Sequence, residues 1–292
     1  MKKRRIALSM GFLAPAYLFI IYAFLVPGIW NLILSFQEWD GFNEKVFVLF
    51  DNYKEALQDE VFLQSLVNSV AIAVITMIGA TLAGLILALM IYRLGRREGA
   101  FYRLILFMPA MIPVSIIGLL FTFIYNSDMG LLNQFLEAVH LDHLTTAWLE
   151  NADTVLPSII IVGIWRLQGM PMMLCYVSLQ QIPDSLIDAA KIDGATYWKR
   201  IFWVMMPLVK PTIGLSMIFV LLNAFKTYDL VYVLTRGGPA NASMTVPIYM
   251  QKAAFSYGQF SYSSTMGVLT AIAVILVVFA VQRIMKGERY EF

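Results

Sequence analysis

Three ionisable side chains interrupt otherwise apolar segments, and their types and placement could support chemistry. Arg166 is the only charged residue in residues 154–183, and Lys226 and Asp229 are the only two in residues 211–234. A charge at the middle of a membrane costs roughly 2.5 to 3.5 kcal/mol on insertion scales, so each one needs a reason. Either Lys226 and Asp229 extend from an outer helix end to the lipid headgroups, or Arg166 faces Asp229 beside a water-filled path for a polar solute.

Potential metal ligands are few. Cys175 is the only cysteine, which excludes an intrachain disulfide and a cysteine-based metal cage. His140 and His143 stand near Glu137 and Asp142, but this acidic loop lacks a closed ligand set. We therefore expect solvated loop residues there and no bound metal.

The composition indicates a membrane protein. Of 292 residues, 60% are hydrophobic and 14% are charged, which is more apolar than a globular core and its surface require. This argues against a soluble enzyme. The formal charge of +2 is too balanced for a protein that binds nucleic acid by neutralising phosphates.

Uncharged segments predict the membrane-spanning helices. Residues 6–37 and 61–92 contain no Asp, Glu, Lys or Arg over 32 positions each, and 104–127 adds 24 more. A crossing needs about 20 apolar residues, so each segment accommodates one helix. With residues 154–183, 211–234 and 253–282 the number of spans is six. The predicted spans are approximately residues 10–35, 65–92, 104–125, 155–179, 209–233 and 263–284.

The basic residues predict the orientation. With the N-terminus inside, 15 of the 21 Lys and Arg residues are cytoplasmic and 4 lie in outer loops, in line with the positive-inside rule. The basic cluster at residues 2–5 could instead begin a signal peptide, but the apolar run after it is much longer than such a peptide has. We predict an all-α integral membrane protein with six transmembrane helices and both termini cytoplasmic. Residues 1–292 form one transmembrane domain in this prediction.

The cytoplasmic loop between spans four and five, residues 182–208, is longer than two antiparallel helices need. Pro183 fits the first turn of a helix, and Gly194 can end that helix in the left-handed conformation. Apolar residues then recur at helical spacing over 198–205, so we expect two short helices at an angle. This pair either lies on the inner leaflet or docks into a groove of a cytoplasmic partner.

The same loop resembles the Glu-Ala-Ala loop of ABC importer permeases. The matching residues are Asp188, Ala189, Ala190, Gly194, Val204, Met206 and Pro207. Three residues separate Ala190 from Gly194 and nine separate Gly194 from Val204, as in that motif. Asp188, Val204 and Met206 replace the Glu, Ile and Leu that are usual in the family.

Three further stretches resemble the carbohydrate branch of the family, the maltose-type permeases. They are Asp193-Gly194-Ala195, Ile182-Pro183 and the Thr-Arg-Gly-Gly-Pro run at residues 235–239. The resemblance extends from the first span to the last and is strongest over residues 165–239.

This resemblance implies a coupling loop that seats in a cleft of an ATP-hydrolysing subunit. The implied coupling residues are Pro183, Asp188, Ala189, Ala190, Gly194 and Pro207. The implied partners are a second homologous permease, two ATP-binding subunits and an extracytoplasmic solute-binding protein. The chain binds no cofactor itself in this prediction, because it has no Gly-Lys pair for a phosphate-binding loop; ATP and Mg belong to the partner ATPase.

The resemblance also implies a sugar pathway. In maltose-type permeases the stretch about a dozen residues before Gly-Gly-Pro contacts substrate, which here places Lys226, Thr227 and Tyr228 on the path. Trp165 and Tyr176 are further candidates because sugars stack on aromatic rings, although either could simply pack against lipid or other helices. Arg166 and Asp229 complete the predicted pathway set.

We predict a permease subunit of an importer in a bacterial or archaeal cell membrane. Its substrate is a sugar, an oligosaccharide or a similar polyol or glycerol phosphate. The alternative is a self-sufficient secondary transporter or channel that uses intramembrane charges such as Arg166 and Asp229 for ion coupling. A membrane-embedded enzyme is disfavoured because no His, Asp or Glu cluster recurs at acid-base or ligand spacing inside the spans.

Overall fold

The computed structural model describes residues 12–285, and this part of the chain is mostly helical. The basic residues at 2–5 and Lys286 and Arg289, which entered the orientation argument, lie outside the described residues. The helices are α1 (Phe12–Leu34), α2 (Asp51–Gln58), α3 (Glu60–Tyr92), α4 (Arg96–Met111), α5 (Val114–Ile124), α6 (Leu131–Ala138), α7 (Ala152–Gln180), α8 (Asp184–Ile192), α9 (Tyr197–Phe225), α10 (Tyr228–Leu234), α11 (Val246–Phe255) and α12 (Phe260–Met285).

Five of these helices, α1, α3, α7, α9 and α12, are long and apolar enough to cross a membrane. The predicted third span is a broken pair instead, because α4 and α5 meet at an angle of 95°. Pro113 explains the break: it disfavours helical geometry in the preceding residue, and Ile112 is extended. Proline inside a helix removes a backbone hydrogen bond and tends to bend it, but Pro109 and Pro171 lie within helices that continue past them.

The loop between α1 and α2 contains a structure that the sequence did not predict. Strands β1 (Gln37–Glu38) and β2 (Val46–Phe47) pair in antiparallel register, with Gln37 opposite Phe47. Lys45 stacks over the rings of Trp30 and Trp39, with its ammonium 4.1 and 4.6 Å from their centroids. This small hairpin is an exception to the predicted all-helical fold.

Among the described residues, 12–63 and 249–271 form one compact unit. Asn52 donates its side-chain amide to the carbonyls of Ser35 (3.1 Å) and Gln37 (2.7 Å), and Thr265 also donates to Ser35 (3.1 Å). The carboxylate of Asp59 accepts hydrogen bonds from the hydroxyls of Tyr249 and Tyr262. These polar contacts join the end of α1, the start of α2 and α12. Most of α1, by contrast, exposes its apolar surface.

Residues 64–248 and 272–285 form the second unit. Small residues let its helices approach closely: a Cβ added to Gly84 of α3 would lie 2.7 Å from the Gln168 carbonyl of α7. Near the N-terminal end of α3, Asn68 donates to the carbonyls of Ala242 and Met244, at 3.0 and 2.9 Å. The loop that precedes α11 is therefore held by the side of α3.

The predicted fifth span has different boundaries in the structure. Only the first of the two expected short loop helices is separate; the second is the start of α9, which begins at Tyr197 and not near 209. A π-helical turn at Ile201–Met205 precedes Pro207, whose missing N–H would leave a carbonyl unpaired in a regular α-helix. The span also ends at Phe225 and not near 233, because the chain breaks before α10.

Candidate functional site

Helix α8 is an exposed helix at the predicted coupling loop. None of its residues is fully buried within the chain, and Ile192 is 86% exposed although it is apolar. Pro183 precedes its first turn and accepts a hydrogen bond from the backbone of Leu186 at 3.0 Å. A helix that exposes charged side chains together with a large apolar one, without a covering element, is suited to a protein partner.

Gly194 ends α8 in a defined corner. Its φ is +76°, a value that favours glycine, and a Cβ there would meet nothing within 4 Å. The N–H of Ala195 bonds the carbonyl of Ala190 at 2.9 Å, and the N–H of Gly194 bonds that of Lys191 at 3.0 Å. This pair of bonds is the Schellman arrangement, which fixes the direction in which the chain leaves the helix.

The predicted contact residues of α8 lie on its accessible surface. Asp188 and Ala189 are exposed and Ala190 is half-buried. Within the chain Asp188 pairs with Lys191, with 2.8 Å between Oδ1 and Nζ, and both side chains are more than half exposed. The Asp188 carboxylate is therefore accessible to a basic group of a partner.

The base of α8 rests on the core of the second unit. Ile182 and Ile201, on either side of the loop, are buried in one cluster with Leu85 of α3 and Cys175 of α7. Ile187 of α8 packs against that cluster. Through these contacts α8 is packed onto the C-terminal parts of α3 and α7 and the N-terminal part of α9.

Pro207, the last predicted coupling residue, lies within α9. It is exposed and lines a groove between α9 and α3. The structure therefore places Pro207 on the body of a long helix, whereas the other five coupling residues belong to α8 or its two ends.

The predicted pathway residues Lys226, Thr227 and Tyr228 lie at the break between α9 and α10. Lys226 is exposed and Thr227 donates its hydroxyl to the carbonyl of Ala224. Tyr228 stacks on Tyr232, with ring centroids 5.2 Å apart and an 18° angle between planes. Interrupted helices of this kind occur at the binding sites of many transporters, because their ends present unpaired polar backbone groups.

Trp165, Arg166 and Asp229 come from neighbouring elements, since α10 packs against both α5 and α7. Arg166 interacts electrostatically with Asp229, although no ion pair shorter than 4.0 Å joins them in the described structure. The Nε of Arg166 is buried without a hydrogen-bond partner among residues 12–285. Trp165 packs edge to face on Phe121 of α5, 5.4 Å between centroids.

Tyr176 is separated from this group. It lies eleven residues beyond Trp165 on α7, which is about 16 Å along a helix. Its hydroxyl accepts a hydrogen bond from Gln180 (2.9 Å), and the guanidinium of Arg103 lies 4.4 Å from its ring centroid. The structure thus assembles six of the seven predicted pathway residues near α10 and leaves Tyr176 toward the other end of α7.

Two aromatic neighbours of the pathway group, Tyr232 and Phe121, were not predicted. Tyr232 follows Tyr228 by four residues, so helical spacing could have indicated it. Phe121 could not have been found that way, because its position depends on the bend at Pro113. A cavity of about 350 Å³ also opens nearby, lined by Thr122, Tyr125, Asn126, Ser127, Ala147, Leu149, Glu150, Leu234, Thr235, Gly238 and Pro239.

His140 and His143 are exposed. Across residues 12–285, no three His, Cys, Asp or Glu side chains come together as a metal site.

Known proteins resemble this chain over most of its length. Residues 80–287 match the family model described as "Binding-protein-dependent transport system inner membrane component". The chain is 36% identical over 282 residues to the "Probable ABC transporter permease protein YurN" of Bacillus subtilis, covering 96% of both chains. It is 30% identical to the "Diacetylchitobiose uptake system permease protein NgcF" of Streptomyces coelicolor, covering 98% of this chain and 85% of that protein.

A solved structure has the same fold. A chain of "a bacterial ABC transporter involved in the import of the acidic polysaccharide alginate" aligns with a TM-score of 0.81 at 20% identity, covering 97% of this chain and 96% of that one.

Proposed function

Because the chain belongs to the family of binding-protein-dependent transport system inner membrane components, we propose that it is the membrane-spanning subunit of an ATP-driven sugar importer. It is a multi-pass membrane protein and a transport component, not an enzyme. The relative from Streptomyces coelicolor is named for diacetylchitobiose uptake, and a 30% identical relative from Rhizobium radiobacter for lactose transport. These names support a sugar, an oligosaccharide or a similar polyol or glycerol phosphate as substrate.

The observation that carries the proposal is the geometry of α8. An exposed helix with an accessible acid, Asp188, is held at a fixed corner by Gly194 and rests on the core through Ile187. In our proposal α8 seats in a cleft of an ATP-binding subunit, where Asp188 meets a basic residue. Closure of the ATPase pair then pushes α8 and changes the packing of α3, α7 and α9.

The complete importer in this proposal contains further chains. A second homologous permease completes the path, two ATP-binding subunits hold ATP and Mg, and an external solute-binding protein delivers substrate. Both termini and α8 are cytoplasmic, following the positive-inside argument. One transmembrane domain spans residues 1–292, and the bent pair α4 and α5 serves as one of six spans.

The substrate path in this proposal passes the break between α9 and α10. Lys226, Thr227 and Asp229 supply polar contacts to hydroxyl groups, and Trp165 and Tyr228 supply aromatic surface for the apolar faces of sugar rings. The charge of Arg166 is balanced by Asp229 across the neighbouring helix. Tyr176 lies on the inner part of the path.

A self-sufficient secondary transporter is the second candidate, and the interaction of Arg166 with Asp229 favours it. Paired intramembrane charges are typical of ion-coupled carriers. The exposed helix α8 has no role in that mechanism, whereas the importer requires it.

Removal of the coupling segment tests the proposal. A variant of this chain that lacks residues 188–194 is assembled with the other subunits of the importer. The deletion should abolish both sugar uptake and co-purification of the ATP-binding subunits, because these residues form the proposed contact with those subunits. Exchanging residues 139–143, in the exposed loop after α6, for Gly and Ser is the control and should leave both intact. Normal uptake by the deletion variant would contradict the proposal.

A further inference from the structure

An apolar groove runs along the part of α9 nearest to α8. Its volume is about 600 Å³ and it is walled by one stripe of α9, by α3 and by the end of α12. The lining residues are Ile78, Thr81, Leu82, Leu85, Phe202, Met206, Pro207, Lys210, Ile213, Met217 and Met285. The groove lies entirely within the second unit.

The groove has one charged side chain. Lys210 is half-buried in its wall, and no carboxylate of the described residues lies within 4.0 Å of it. The hydroxyl of Thr81 is buried there and has no hydrogen-bond partner within residues 12–285. A long apolar cavity with a single unpaired cation is complementary to a molecule with an apolar chain and an anionic group.

The end of the groove nearest to α8 has the composition of a membrane interface. Trp198, Phe202 and Trp203 are 65%, 61% and 80% exposed, and the rings of Trp198 and Phe202 stack at 6.2 Å. Lys199, three residues before Phe202 near the start of α9, is also exposed. Aromatic rings beside basic residues are typical of the level of the lipid headgroups.

We propose that this groove binds an anionic phospholipid of the inner leaflet. One acyl chain lies against the apolar wall formed by α3 and α9, and the phosphate is bound by Lys210 with Lys199 at the mouth. A free phosphate ion does not account for the apolar wall, and a neutral lipid does not account for the unpaired lysine. The site is distinct from the sugar path and from α8, and it shares one residue, Pro207, with the predicted coupling set.

Lipid retention by the purified importer tests this site. The complex is exchanged into mixed micelles of phosphatidylglycerol and phosphatidylcholine, washed, and the bound lipids are counted by native mass spectrometry. Lys210→Gln should lower phosphatidylglycerol retention about fivefold and leave phosphatidylcholine unchanged, since one basic residue near the headgroups contributes about 1 kcal/mol. Lys252→Gln, on α11, is the matched control and should retain both lipids.

A second variant separates loss of the groove from misfolding. Leu82 lines the groove and is 54% exposed, so Leu82→Trp fills the cavity without a buried clash. It should lower retention of both lipids while the complex remains monodisperse. Glycerol phosphate, which has the headgroup but no chains, should not compete at millimolar concentration.

Three results would overturn the inference. Equal phosphatidylglycerol retention by Lys210→Gln and the parent would show that the charge of Lys210 does not bind the lipid. Competition by glycerol phosphate would indicate a soluble anion site. Cross-linking of a Leu82→Cys variant to the second permease would show that protein, not lipid, covers the groove.

Discussion

At the scale of single residues, Asp59 is the most connected carboxylate of the described chain. Its Oδ2 accepts hydrogen bonds from the hydroxyls of Tyr249 and Tyr262, both at 2.6 Å. Its Oδ1 accepts from the backbone N–H groups of Val61 and Phe62, at 2.8 and 3.2 Å, and so caps the start of α3. Burial alone would raise the pKa of Asp59, but these hydrogen bonds outweigh it and hold the pKa below 3.8.

Asp59→Asn should therefore destabilise the protein. The amide keeps the shape but replaces one accepting oxygen with a donor, which leaves either the two tyrosines or the two N–H groups unpaired. We expect a loss of about 2 kcal/mol, measured as a lower midpoint of thermal unfolding of the purified importer. Asp51→Asn, which only breaks an exposed pair with Lys54, is the control and should change little.

The same contact predicts a pH dependence. The pKa of Asp59 is lower in the folded state than in the unfolded state. The ionised carboxylate therefore stabilises the fold fully above pH 3.8, and this stabilisation is lost as the pH falls through the folded-state pKa. The difference in unfolding midpoint between the parent and Asp59→Asn should be constant from about pH 7 to 5 and shrink below pH 4. A gap that instead widens on acidification would show that the carboxylate is not the stabilising form.

Asp188 is the residue on which coupling depends in our proposal. Asp188→Ala should reduce sugar uptake at least tenfold, because a basic group of the ATPase would be left without its partner. Asp188→Glu, which restores the usual family residue, should retain uptake. Lys191→Ala should also retain it, since the pair of Lys191 with Asp188 is exposed. Equal uptake by Asp188→Ala and the parent would refute the assigned role.

The short helix that carries Asp188 and its end at Gly194 were predictable, because both depend on local sequence spacing. The coupling role of Asp188 stays a prediction. The tyrosines that bind Asp59 were not predictable, because Tyr249 and Tyr262 are about 190 and 200 positions away in the chain. Helical periodicity carries no information on such distant pairs.

At the scale of elements, the corner between α8 and α9 determines how α8 is held. Gly194→Ala places a Cβ at a φ of +76°, which costs about 1 to 2 kcal/mol although nothing obstructs the methyl group. Amide hydrogen exchange at the end of α8 should become roughly tenfold faster, measured by mass spectrometry on the importer. Gly95→Ala is a matched control, because Gly95 has a φ of −61° and the same open space. Unchanged exchange in Gly194→Ala would show that the corner is fixed by other contacts.

Helix existence was predictable from apolar length, but helix continuity was not. Proline has opposite consequences at two positions: Pro113 ends α4 with a 95° bend, whereas Pro207 is accommodated by the preceding π turn. The break at Lys226 and Thr227 was also hidden, because an apolar segment continues on both sides of it. Whether a helix continues or breaks at each of these positions depends on local packing, which cannot be deduced from composition.

At the scale of the whole molecule, composition was sufficient for the membrane location and approximately for the number of spans. Composition could not indicate which parts of the chain pack together, because residues 12–63 associate with residues 249–271, which are distant in sequence. The proposed substrate path rests largely on motif resemblance, and Phe121 and Tyr232 contact two of its predicted residues, Trp165 and Tyr228.

In our proposal this chain transports only as part of an ATP-driven complex, and uptake into liposomes is the decisive experiment. Labelled maltose-type oligosaccharides, with the external binding protein, are offered to liposomes that hold either the complete importer or this chain with its second permease alone. We expect accumulation only with the ATP-binding subunits and internal ATP, and none under an ion gradient. Accumulation by the permeases alone, driven by a proton or sodium gradient, would contradict it.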